Sequence, residues 1–323
     1  MESEPQVIYK HADDIDLSKA YRRDEADEVM LRAANLTISG LEDDGNLDDN
    51  FRPLSVDLLK VFLSTHRSIC LLLAQEEDDP YLGADALSLA REQVEKVFAV
   101  ALLCEDPPRW ARTYLEDSWR RTFERYLLER VERQGLPRFQ GFFPQAYSRV
   151  EGVRQRLGIA DNVRDAVEYR FFNPDDPPGG PPKNVAGVKL PKQFPTPKGV
   201  LRKVSAPRKD YLQRWYIEYR FFCDFTHCGM GKLELTHLFD HSSRFSTADK
   251  EEFYAKEVQS AAAVSYVAIA SACTELTGVL GSASVERLMR TLEFWDFLRP
   301  RFLLAKAMWD LRARNVLTSP VAS

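Results

Sequence analysis

A glycine-rich phosphate loop, a G-x-S-x-G turn and an H-E-x-x-H helix are all missing from these 323 residues, which leaves P-loop, kinase, α/β-hydrolase and zincin chemistry without an anchor. Cysteine is scarce, with five residues at 70, 104, 223, 228 and 273. An odd number, in a chain whose acidic start (MESEPQ) lacks the basic and apolar regions of an export signal, predicts reduced thiols and a cytoplasmic location. Long apolar runs are absent too: residues 260–274, the longest uncharged run between Glu257 and Glu275, fall short of the roughly 20 residues a membrane span needs. Their Ala and Ser content predicts a helix packed closely on others, with no membrane role. No stretch alternates apolar and polar residues as a half-buried strand would, and no internal repeat is found, so the expected fold is all-α.

What is present is helical periodicity, and the 44% of apolar residues can bury a substantial core. Helices are predicted over 24–41, 54–74, 85–104, 107–134, 145–157, 161–171, 208–228, 233–239, 247–277, 283–298 and 301–316. The second of these is apolar over much of its circumference and belongs near the centre of a bundle. Residues 1–20 are polar, acidic and expected to be disordered, whereas 21–318 are expected to form one multi-helix bundle domain. Residues 173–207 hold nine of the 18 prolines and no period, and read as a loop inserted into that domain. Trp295, Phe297, Phe302 and Trp309 have helical spacing and read as core; His66 beside Arg67 reads as an isolated pair.

Charge is unevenly spread. Residues 1–80 hold 19 acids against 8 bases, while 183–209 hold eight bases and no acid, within a net charge of −5. That basic segment is either a solvated loop that balances the acidic front half or a surface for RNA or an acidic partner.

The densest chemistry lies between residues 211 and 238. Tyr216, Arg220, Cys223 and His227 advance by four, three and four residues, and Tyr219, Cys223 and His227 by four and four, so both sets share a helix stripe. Trp215 lies beside them, and Phe221, Phe222 and Phe225 line the other side. The helix therefore reads as core-like all round, which places Arg220, Cys223 and His227 at least partly inside, where an arginine needs a carboxylate.

Paired with Arg91-x3-Glu95 in an apolar helix, Tyr219-x3-Cys223-x3-His227 before a Gly-rich break resembles a bacterial family of all-helical proteins of unknown function. In that family an R-x3-E helix and a Y-x3-S-x3-H helix recur, and Cys223 stands here in place of the Ser. The resemblance implies a shared polar cluster of Arg91, Glu95, Tyr219 and His227. Both halves would then meet in one domain across the 173–207 loop, and the expected function is a helical interaction module of defence or stress response. Arg220-x6-His227 is in addition similar to the R-x4–6-H motif of the HEPN group, many of which are metal-independent ribonucleases. That likeness implies His227 as the base for a ribose 2′-hydroxyl and Arg220 as the holder of the scissile phosphate, in a homodimeric site. Phe221 departs from it, because those enzymes carry a polar residue there. Cys223, Cys228, His237 and His241 have the ligand types of a zinc site, but the spacer of eight is shorter than the twelve usual in a finger and Cys223 falls mid-helix. No metal or cofactor is assigned.

Overall fold

The computed structural model describes residues 23–74, 81–133, 135–136, 141–175, 180–226, 247–280, 290–291 and 293–295. Among them no strand occurs, and the fold is all-α. The helices are α1 (Arg23–Asp43), α2 (Phe51–Ala74), α3 (Tyr81–Leu103), α4 (Pro107–Arg133), α5 (Phe142–Arg156), α6 (Asp161–Phe172), α7 (Pro197–Val200), α8 (Ala206–Thr226) and α9 (Thr247–Val279). Residues 290–291 and 293–295 are helical as well. The expected helices at 233–239 and 301–316, and the expected disorder of 1–20, lie outside the described residues.

The chain groups into two compact units. Residues 1–47, 52–104 and 204–323 belong to the first, and 48–51 with 105–203 to the second. The division falls at Glu105, well before the proline-rich stretch, so α4, α5 and α6 belong with that stretch.

In the first unit, α1 buries Ala26, Met30, Ala33, Ala34, Thr37, Ile38 and Leu41, the i, i+4, i+7, i+8 pattern of a one-sided helix. In α2, Leu54, Ser55, Val56, Leu58, Leu59, Phe62, Leu63, Thr65, His66 and Ile69 are all buried, as its sequence requires. Helix α3 packs on α9 and on α8, and α1 on α9. The approach is made by small side chains, with Ala261, Ala262, Ala268, Ala270 and Ala272 of α9 buried. Residues Ala261–Val279, 19 in number, are long and apolar enough to cross a membrane, and more than half of that stretch is buried against the unit's own helices. It therefore extends past the expected run, taking in Glu275, which is held by Arg208 at 2.7 Å.

In the second unit, Asp106 caps α4 by accepting from the Arg109 N–H, ahead of Pro107 and Pro108, whose missing donors cost nothing in a first turn. Trp119, Phe123, Tyr126 and Leu127 of α4 form a core with Phe143 and Val150 of α5, Ile159, and Val167 of α6. Gly158, at φ +63°, ends α5 in the left-handed conformation and lets the chain turn into α6. Arg154, buried, holds this corner: it donates to the Ile159 carbonyl and pairs with Glu151 and Asp161.

The proline-rich stretch has no period, but it is anchored. Val185, Phe194, Pro197 and Val200 are buried, and residues 197–200 form a helical turn. Phe194 meets the Tyr114 ring edge-on at 4.9 Å and Trp110 at 6.2 Å, and its N–H donates to Asp117 at 3.0 Å. Asp117 is itself buried between Arg120 and Arg121, each at 2.7 Å. Single apolar residues separated by prolines fix the segment, and they leave no period to read.

Candidate functional site

Three of the expected site residues come together between α3 and α8. The Arg91 guanidinium donates to the Tyr219 hydroxyl at 3.2 Å, lies 5.3 Å from that ring's centroid and pairs with Glu95 at 3.4 Å. Cys223, half-buried on the same stripe of α8, contributes to the shifts of both Arg91 and Tyr219. Phe98 packs edge-on against Tyr216 and Tyr219, both at 6.4 Å, and covers the cluster from α3. Burial works against the Arg91 charge, but Tyr219, Cys223 and Glu95 outweigh it and hold the guanidinium's pKa above the ordinary arginine value. Burial raises the Tyr219 hydroxyl despite Arg91, which keeps it a donor and acceptor and not a base. Glu95 is half exposed, so its bond to Arg91 is a surface pair of about 0–1 kcal/mol.

Arg220 does not join this cluster. It is exposed, as are Gln213, Arg214, Ile217 and Glu218, while Leu212, Trp215 and Phe222 are buried. Helix α8 is thus one-sided, where its sequence reads as core-like all round. Ile217, at 70% exposure, stands in solvent on its outer face. His227 lies outside the described residues, as do Cys228, His237 and His241 of the zinc reading. Among the described residues no group of three His, Cys, Asp or Glu could hold a metal.

The larger polar network was not expected. His66 of α2, read with Arg67 as an isolated pair, is 1% exposed and sits at its centre. Its Nδ1 lies 2.9 Å from the Ser265 Oγ of α9, and its Nε2 lies 3.1 Å from Asp27 of α1 and 3.4 Å from the Cys70 sulfur. The Tyr266 ring lies against the imidazole, tilted by 57° with centroids 4.4 Å apart, and its hydroxyl donates to the same Asp27 oxygen. Gln93 of α3 donates to Ser265 at 3.1 Å and to the Phe62 carbonyl at 2.8 Å. Burial disfavours the imidazolium, yet Asp27 and Cys70 outweigh it, and the His66 pKa is raised. A signal was available. His66 has Phe62, Leu63 and Ile69 as its helical neighbours, so a buried histidine in need of partners follows from the same period that buries α2. Asp27, between Ala26 and Met30 at the edge of the α1 stripe, is the matching acid.

A hydroxyl beside an imidazole that is itself beside a carboxylate has the connectivity of a nucleophile relay. Ser265 is 0% exposed, however, and no substrate carbonyl can reach it.

The cations of the basic segment fall into two groups. Arg208 is paired with Glu275, whereas Lys183, Lys189, Lys192, Lys198, Arg202, Lys203 and Lys209 are exposed and make no ion pair among the described residues.

Comparison with protein-family models, with curated proteins and with solved structures finds no match to the chain.

Proposed function

We propose that the chain is a helical interaction module whose polar clusters tie helices together and turn over no substrate. The closure of the His66 network carries this reading. His66, Ser265 and Gln93 have the chemistry of an active site, but they are sealed from solvent and bonded to one another, and with Asp27 they link α1, α2, α3 and α9. Arg91 and Tyr219 do the same for α3 and α8. Buried polar links of this kind fix which helix faces meet, because a shifted register would strand their donors and acceptors.

The exposure of Arg220 favours a second reading, in which Arg220 and His227 act as a metal-independent ribonuclease pair. Incubating the purified chain with RNA separates the two. The module reading expects the same background cleavage from the native chain, Arg220→Ala and His227→Ala; a native cleavage activity that disappears in His227→Ala would overturn it.

A further inference from the structure

We infer that the second unit presents a docking face for the phosphodiester backbone of a single-stranded nucleic acid, centred on Arg109, Lys198, Arg202 and Lys203. The inference deepens the module reading by naming the class of partner, and rests on it.

The charge balance sets the location. Residues 48–51 and 105–203 hold 19 bases against 15 acids, although the whole chain carries −5. The remainder of the chain is therefore strongly acidic and repels a polyanion, which leaves the second unit as the face that attracts one. Within it, the buried acid Asp117 is already paired with Arg120, Arg121 and the Phe194 N–H.

Local geometry concentrates the charge. The Arg109 guanidinium lies 4.8 Å and the Lys203 ammonium 5.5 Å from the centroid of the same Trp110 ring, so the two cations sit within about one Debye length of each other at 0.1 M salt, about 10 Å. Neither has an acidic partner among the described residues, and the arrangement holds like charges together at a cost that the aromatic ring offsets only in part. Lys198 and Arg202 stand exposed on the adjoining helical turn, whose backbone is closed by the Leu201 N–H to the Pro197 carbonyl and the Lys203 N–H to the Val200 carbonyl. The face is thus already ordered, and an anion that binds it does not have to fix the loop first.

The chemistry favours phosphates. Five of the six exposed cations of the loop are lysines, point charges that meet a phosphate without demanding a bidentate geometry. The four-residue α7 is too short to fill a major groove, which favours a flexible single strand over a duplex.

Fluorescence anisotropy of a labelled 20-nucleotide RNA, titrated with the chain at several salt concentrations, tests this. Each phosphate neutralised on a single strand contributes about −0.7 to the slope of log K against log salt, so four contacts predict a slope of about −3. The variant Lys198→Gln/Arg202→Gln/Lys203→Gln, confirmed folded by circular dichroism, should lose about 2 units of slope and bind about tenfold or more weakly at low salt. No salt-dependent binding, an unchanged slope in the variant, or tighter binding of poly-glutamate or phosphatidylserine vesicles at the same salt would each overturn the inference. A gel of the RNA after titration reads cleavage separately, so failure of the module reading is not mistaken for failure of the face.

Discussion

Truncating His66 removes the atom pair on which four helices converge. In His66→Ala the Ser265 hydroxyl and the Asp27 carboxylate both lose the imidazole, and a cavity opens in a site that is 1% exposed. The cavity and the stranded polar groups together should cost about 2–4 kcal/mol of stability, measured by urea unfolding. A change within ±0.5 kcal/mol, the range of ordinary surface substitutions, would mean that the network is not a tie. Part of this polar chemistry was legible in the sequence and part was not. Arg91 and Glu95 sit one turn apart on a single helix, and Tyr219 with Cys223 on another, so each pair announces itself by spacing. His66 finds Asp27 at 39 residues' distance and Ser265 at 199, and no spacing rule links positions that only the fold brings together. Arg220 failed in the opposite direction, because its helix supplies aromatics on nearly every side and the tertiary neighbours alone decide which of them are covered.

Among the elements, the regular helices were legible to within a few residues, since their apolar periods are what the core demands. The 180–203 segment was not. Its anchors, Val185, Phe194, Pro197 and Val200, follow no period, and the group that holds its backbone, Asp117, belongs to a helix 77 residues earlier. That makes Asp117 the hinge pin of the basic loop. Asp117→Ala leaves Arg120 and Arg121 without their shared carboxylate and the buried Phe194 N–H without an acceptor. Stranding that buried N–H should lower the unfolding free energy by about 1–3 kcal/mol, the partly exposed arginines adding little. The local consequence is more specific than the loss of stability: with the pin gone, trypsin should cut at Lys189, Lys192 and Lys198 about tenfold faster or more under native conditions, as local opening becomes cheap. Equal cleavage rates in the two proteins would show that the apolar anchors suffice.

For the molecule as a whole, the two units carry ionisable locks of opposite sign in pH. In the second unit, hydrogen bonds from Arg154 hold the Glu151 carboxyl below its ordinary pKa of 4.5. Its contribution is complete above the unfolded value and is lost as pH falls through the lower folded one. In the first, the His66 pKa lies above 6.5 despite burial, because Asp27 and Cys70 favour the imidazolium. That contribution is complete below 6.5 and is lost as pH rises through the folded value. Acidification from pH 6 toward 3 should therefore weaken amide protection around α5 and the start of α6, while raising the pH from 6 to 8 should weaken it around His66 in α2. Hydrogen exchange, with opening free energies compared at each pH after correction for intrinsic rates, reads both effects residue by residue. The substitution His66→Asn, which retains a polar side chain but cannot take up the proton, should abolish the alkaline loss and leave the acid one untouched. If it instead shifted both, or neither, the imidazole would not be the group that links the first unit to pH.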